Sequence, residues 1–126
     1  MSIERQRWVP VADFPALNAR LTRTVDVLDN SIRYAIQSVS ASKTVVLTYP
    51  RTLFLVDTTA GSVTLTLPPA AAVVGMRVEA KKLIAANTLT FDGDGSETID
   101  GAATLAWTTQ YKSYSVLSDG LRWHVV

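Results

Sequence analysis

The sequence contains one histidine and no cysteine, so few side chains are available for nucleophilic catalysis or metal binding. His124 alternates with Trp123 and Val125, and this spacing predicts an outward position on a C-terminal strand. A catalytic base needs a second group to orient it, and the spacing reveals none. A site with two histidine ligands is impossible within one chain. We therefore predict a protein that is not an enzyme and has no catalytic residue, metal site or cofactor.

The acidic stretch at residues 92–97 (DGDGSE) carries oxygen ligands at alternate positions, as calcium-binding loops do. It lacks the distal bidentate glutamate and the remaining length of such a loop. Aspartate and glycine also dominate tight turns for steric reasons alone. The favoured interpretation is a structural turn, with a calcium loop as the alternative.

Four aromatic residues near the C-terminus are the candidates for a sugar-stacking platform. Their alternation with polar residues is more typical of side chains that point into a core. We therefore predict core positions for most of them. The residues are Trp107, Tyr111, Tyr114 and Trp123.

Composition excludes two classes of partner. Lys and Arg together number 12 and Asp and Glu 11, without a basic stripe, so the chain has no electrostatic footprint for nucleic acid. No apolar run is long enough for a transmembrane helix, so we expect no membrane insertion. The 126 residues are enough for about one domain.

Upstream of these residues, the range 13–40 is predicted to be a coiled-coil helix that begins at the N-cap Asp13. From Leu21 onward its apolar residues recur at alternating spacings of four and three. Leu17 and Ile36 widen the stripe, which fits a homotrimer better than a dimer. The alternative is a helix that packs across its own β domain. The predicted trimer interface consists of Leu21, Val25, Leu28, Ile32, Ala35 and Val39.

Residues 1–12 precede this helix and have no periodicity of their own. Trp8, Val9 and Val11 could make this segment an attachment arm, because aromatic side chains are over-represented at interface hot spots. A frayed terminus is the alternative. We take the three residues as candidates for docking.

The region 43–126 changes to a period of two, which is typical of strands. Val63, Leu65 and Leu67 alternate with polar residues, whereas residues 52–57 are apolar on both faces. Turn residues recur at short intervals and divide the region into about eight short strands. We predict a mainly β domain, an antiparallel β-sandwich or a β-prism-like fold.

Three stretches of this region carry a family resemblance: VTLTLPPAA (63–71), TLTFDGDGSETIDGAAT (88–104) and SDGLRWHVV (118–126). Residues 44–126 resemble a module of bacteriophage tail fibres, spikes and related virion proteins, and GSETIDG (95–101) is the most telling part. The resemblance implies a homotrimeric β structure behind a helical stem and an N-terminal attachment segment. It supplies no catalytic residues.

The predicted function is therefore that of a phage structural protein: a short homotrimeric spike or fibre, or a decoration protein. Its expected partners are copies of itself and other virion proteins of the capsid, collar or tail. Its expected location is the virion, assembled in the host cytoplasm. The main alternative is an adhesin that binds a host receptor or surface glycan. A hydrolytic spike is a weaker one, because it needs facing carboxylates that the sequence does not reveal.

Overall fold

The computed structural model describes residues 33–126, and the structural statements below refer to that range. Its chain forms strands and one short 3-10 turn, Ala70–Ala72. The strands are β1 (Ala35–Val39), β2 (Lys43–Thr44), β3 (Arg51–Val56), β4 (Val63–Thr66), β5 (Arg77–Lys82), β6 (Leu89–Asp92), β7 (Thr104–Trp107), β8 (Ser113–Ser118) and β9 (Trp123–Val125).

The strands form two sheets between which the chain alternates. Sheet A has the order β1-β3-β5-β8-β9, and sheet B has the order β2-β4-β6-β7. Each of the pairs β1–β2, β3–β4 and β5–β6 forms one coil and contributes one strand to each sheet. Each strand is parallel to its counterpart in the neighbouring coil. The result is a short solenoid of three coils.

Paired residues of the second and third coils are separated by the same number of residues in both sheets. Thr52 pairs with Val78 in sheet A, and Val63 pairs with Leu89 in sheet B. After the third coil the direction reverses. Strand β7 pairs antiparallel with β6, β8 with β5, and β9 with β8.

The prediction of a mainly β domain is confirmed, but the antiparallel arrangement is wrong for the six strands of the coils. The two sheets are mixed. A period of two in the sequence reports which face of a strand is buried and carries no information about the direction of its neighbour. The parallel partners here are joined through a strand of the other sheet, so the helical crossovers that usually announce parallel sheets are absent from residues 33–126.

The predicted helix over residues 13–40 is wrong over its last turn, because residues 35–39 form β1. Ala35 pairs with Thr52 and Val39 with Val56. Hydrogen bonding to β3 overrides the heptad spacing of these five residues. The β region thus begins before residue 43. The rest of the predicted helix and the arm 1–12 lie outside the described residues.

The core lies between the two sheets and is built from their inner faces. Sheet A contributes Phe54, Val56, Val78, Ala80 and Val116, all fully buried. Sheet B contributes apolar residues of β4, β6 and β7, namely Val63, Leu65, Leu89, Phe91 and Trp107. Because alternate residues of each strand point inward, the period-two pattern of the sequence located this core.

Two corners connect the sheets and carry all the candidate sites. At the A–B corner (residues 40–42, 57–62 and 83–88) the chain crosses from sheet A to sheet B. The opposite side, the B–A corner, contains residues 45–50, 67–76 and 93–103. The hairpin 119–122 also lies at the B–A corner, because the Gly75 N–H donates to the Ser118 carbonyl at 2.9 Å.

Candidate functional site

The three stretches 63–71, 88–104 and 118–126 meet at the B–A corner. Both carboxylate oxygens of Glu97 accept from the backbone N–H of Ala70, at 3.0 and 3.2 Å. The Ser118 hydroxyl donates to the Ala70 carbonyl at 2.7 Å. Residues from all three stretches therefore hold the start of the 3-10 turn from two sides.

The second and third stretches also pair directly. The Trp123 N–H donates to the Thr98 carbonyl at 2.9 Å, and the Asp100 N–H donates to the Trp123 carbonyl at 3.1 Å. Ile99 forms an isolated parallel bridge with Trp123, and both side chains are buried. Residues 98–100 thus cover the outer edge of β9 and protect it from further pairing.

Glycines in this turn are required by geometry. A Cβ on Gly93 would lie 2.3 Å from the Glu97 carbonyl oxygen, so no side chain fits there. Gly101 has φ +86°, which favours glycine. With Glu97 bonded to Ala70, these contacts explain the acidic turn without a metal ion. No group of three or more His, Asp or Glu residues in the described part of the chain could hold one.

His124 has the partners that its sequence spacing did not reveal. Its Nε2 lies 2.7 Å from Asp119 Oδ2, and its Nδ1 lies 3.9 Å from Asp100 Oδ1. The hydrogen bond to His124, followed by those from the backbone N–H groups of Arg122 and Leu121, holds the pKa of Asp119 well below its usual range. The tight SDG turn, which returns Asp119 across the hairpin, is the signal that could have identified this pair.

The His124 cluster has a structural explanation. Asp100 Oδ1 also accepts from the Val125 N–H at 3.1 Å, so the imidazole and its two carboxylates tie β9 to the turns on either side. The adjacent hydroxyl, Ser118 Oγ, is buried and donates to a carbonyl, which leaves it unavailable as a nucleophile.

The four aromatics do not form a stacking platform. Trp107 and Trp123 are buried, and the Trp107 ring packs edge-on against the half-buried Tyr114 at 4.9 Å. The core prediction is confirmed for these three. Tyr111 is 64% exposed in the turn before β8, so for this residue a core position is wrong.

Lys82, at the A–B corner, was missed by the sequence analysis. Its side chain is fully buried, and its ammonium group donates to the carbonyl of Ile84 and, at 3.0 Å, to that of Ala86. The Thr58 hydroxyl also donates to the Ala86 carbonyl, at 2.6 Å. Lys82 therefore organises the connection between β5 and β6. Its alternation with Val78 and Ala80 was the available signal.

An open cleft of about 320 Å³ lies at the A–B corner, where the parallel strands of sheet A end. Its lining combines apolar side chains with two hydroxyls and a carboxylate: Ser38, Val39, Ser40, Leu55, Asp57 and Leu83. Asp57 Oδ1 accepts from the Thr59 N–H at 2.8 Å, and hydrogen bonds from Thr59 lower the pKa of Asp57. The cleft therefore presents a fixed, ionised acceptor.

Only two of the predicted interface and docking residues lie within residues 33–126. Ala35 and Val39 lie in β1, where Val39 packs into the core of its own domain and borders the cleft. Their predicted place on a helical seam is therefore wrong. The other predicted residues lie outside the described range: Leu21, Val25, Leu28, Ile32, Trp8, Val9 and Val11.

No protein-family model matches this sequence, and no curated protein matches it. Within residues 33–126 there is no helix with the length and apolar character needed to cross a membrane.

Proposed function

We propose that this chain is a structural component of a bacteriophage virion, a short homotrimeric spike or fibre, or a decoration protein. The observation that carries the proposal is the junction at the B–A corner. Glu97 of the second stretch and Ser118 of the third both bond to Ala70 of the first. Trp123 of the third stretch bonds to Thr98 of the second.

This junction supports a structural role over a catalytic one. The side chains that carry the resemblance fix turns and close the edge of β9, so what they share with phage proteins is architecture. Glu97 is occupied by a backbone N–H, and Trp123 is fully buried. Neither is placed to act on a substrate.

In this proposal the residues before β1 assemble and anchor the protein. Leu21, Val25, Leu28 and Ile32 form the seam of a three-stranded coiled coil. The arm 1–12 inserts Trp8, Val9 and Val11 into another protein of the capsid, collar or tail. These assignments rest on the sequence alone, and the seam ends before β1.

Particle incorporation tests the anchoring role. We expect deletion of residues 2–12 to leave a folded protein that fails to join particles. Trp8→Ala should weaken incorporation, because a buried aromatic anchor contributes about 2 kcal/mol, roughly thirtyfold in affinity. Gln6→Ala, in the same arm, should have little effect. Occupancy is measured on purified particles, and normal occupancy of the deletion variant would refute the anchor.

An adhesin that binds a surface glycan is the second candidate, and the cleft at the A–B corner favours it. Asp57, Ser38 and Ser40 offer acceptors and donors beside apolar side chains of the same lining, a combination suited to a sugar ring. Asp57 is the one carboxylate of the lining, so the cleft does not supply the facing pair used in glycoside hydrolysis. Loss of cell adsorption in Asp57→Asn particles with normal occupancy would favour the adhesin.

A further inference from the structure

Aspartate is followed directly by glycine at four places in the sequence, and this dipeptide has a chemistry of its own. The aspartates are Asp92, Asp94, Asp100 and Asp119. The side-chain carboxyl of each can reach the amide nitrogen of the next residue, and glycine has no Cβ to hinder a reaction between the two groups. All four pairs lie within residues 33–126, so the structure shows which of them is free to react.

At the first and last of these pairs the amide nitrogen of the glycine is already used. The Gly93 N–H donates to the Ala103 carbonyl at 3.1 Å. The Gly120 N–H donates to the Ser118 hydroxyl at 3.1 Å. Hydrogen bonds also occupy both carboxylate oxygens of Asp119. Each N–H must therefore leave its acceptor before the nitrogen can attack a carboxyl group.

At the third pair the carboxylate is held instead. Asp100 Oδ1 accepts from the Val125 N–H at 3.1 Å and lies 3.9 Å from Nδ1 of His124. The Asp100 N–H donates to the Trp123 carbonyl, so the backbone on that side is fixed as well. Rotation of the Asp100 carboxyl toward Gly101 would break the bond to Val125.

The second pair has neither restraint. The Asp94 carboxylate forms no hydrogen bond within residues 33–126, and neither does the Gly95 N–H. Gly95 is exposed, and a Cβ built on it would meet no atom within 4 Å, so the space beside this residue is open. Its φ of +54° is one that glycine adopts readily. Asp94 and Gly95 are therefore the pair in which both reacting groups are free.

We propose that Asp94 converts spontaneously to isoaspartate in the folded protein and that the structure protects the other three aspartates. The Gly95 nitrogen bonds to Cγ of Asp94, and the carboxyl hydroxyl leaves with the amide proton as water. Water then adds to the main-chain carbonyl of the five-membered imide and opens the ring, so that the backbone continues through Cβ. The composition of the protein is unchanged, and water is the only co-reactant. This inference does not depend on the proposed function.

Isomerisation at Asp94 affects the junction at the B–A corner. The Glu97 N–H donates to the Asp94 carbonyl at 2.9 Å, and the same residue presents its carboxylate to the Ala70 N–H. In isoaspartate the acceptor carbonyl becomes a free carboxylate, and the main chain gains one carbon atom. The turn that positions Glu97 is thereby altered. We expect the bond between Glu97 and Ala70 to weaken as the protein ages.

Incubation of the full-length protein in neutral buffer tests the site. Peptide mapping with electron-transfer fragmentation distinguishes isoaspartate from aspartate. In the folded protein, isoaspartate should form at Asp94 about tenfold faster or more than at the other three aspartates, where at least one hydrogen bond must break first. In urea the four rates should be similar, which controls for the reactivity of the dipeptide itself. No isoaspartate at Asp94, or equal rates at all four in the folded protein, would overturn the proposal.

A matched variant tests the structural consequence. Asp94→Glu keeps the charge but would have to close a six-membered imide, which forms much more slowly. Ageing should lower the melting temperature of the wild type and leave that of Asp94→Glu unchanged. Glu97→Ala already lacks the bond that isomerisation weakens, so ageing should lower its melting temperature less than that of the wild type. Equal losses in the wild type and Asp94→Glu would contradict the link between Asp94 and the junction.

Discussion

The ammonium group of Lys82 donates to two backbone carbonyls and pairs with no carboxylate among residues 33–126. Both acceptors, Ile84 and Ala86, lie in the connection that follows β5. Burial of a charge is costly unless the group is hydrogen-bonded, and here the hydrogen bonds also fix the path of a loop. Lys82 therefore holds a connection of the A–B corner through its backbone, as Glu97 holds one of the B–A corner.

Replacement of Lys82 tests this role. We expect Lys82→Met to lower the free energy of unfolding by about 1–3 kcal/mol, because carbonyls of the loop lose a charged donor. Lys81→Met changes the next, outward-facing residue and should stay within about 0.5 kcal/mol of the wild type. Denaturant unfolding measures both. A Lys82→Met protein as stable as the wild type would show that the ammonium does not stabilise the loop.

The depressed pKa of Asp119 makes stability depend on pH in acid. A carboxyl group whose pKa is lower in the folded than in the unfolded state stabilises the fold above its unfolded pKa, about 4. That contribution is lost as the pH falls further. We expect the melting temperature of Asp119→Asn to lie below that of the wild type at pH 6, with the difference shrinking as the pH falls below about 4.

A matched change serves as the control for this pH dependence. Asp94→Asn removes a carboxylate that forms no hydrogen bond within residues 33–126, so the melting temperature of this variant should follow that of the wild type over the same range. A constant difference between Asp119→Asn and the wild type from pH 6 to pH 2 would contradict the assigned role of the His124–Asp119 contact.

At the scale of elements, the sequence predicted faces more successfully than directions. The alternation of Val63, Leu65 and Leu67 with polar residues correctly located the inner face of β4. The parallel pairing could not be predicted, because a solenoid coil places its partner strand a whole turn away along the chain. Residues 35–39 continue the heptad spacing, and they form a strand because β3 lies beside them.

The candidate site was predictable in part for a similar reason. The sequence analysis singled out the acidic stretch 92–97 and the stretch 118–126 as separate features. Their contact depends on Ile99 and Trp123 meeting across the end of the fold, which local spacing does not encode. His124 therefore seemed to lack an orienting partner, although Asp119 is five residues away.

Removal of the Glu97 carboxylate tests the link between the second and third coils. We expect Glu97→Ala to reduce the free energy of unfolding by about 1.5–3 kcal/mol, because the Ala70 N–H loses a charged acceptor. Glu97→Gln keeps one acceptor and should lose less. Thermal and denaturant unfolding measure the loss. A Glu97→Ala protein as stable as the wild type would show that this hydrogen bond does not stabilise the junction.

At the scale of the whole molecule, the trimer is the main prediction. The full-length protein should sediment as a trimer at micromolar concentration. Leu28→Asp should dissociate it, because a charge is placed in the predicted seam. Arg23→Glu changes a position on the face of the predicted helix opposite the seam and should leave the trimer intact. A monomeric wild type, or equal effects of the two substitutions, would contradict the coiled coil.

The reversal after the third coil also has a consequence for the time course of folding. Each parallel pair joins strands that lie one full coil apart along the chain, whereas β8 and β9 are joined by a short hairpin. Local pairs form sooner than distant ones, because less chain entropy is lost in closing them. We therefore expect the last strands to nucleate the domain and the coils to zip toward β1. Synthesis runs in the opposite order, so the earliest strands should remain unpaired until the ribosome has almost finished the chain.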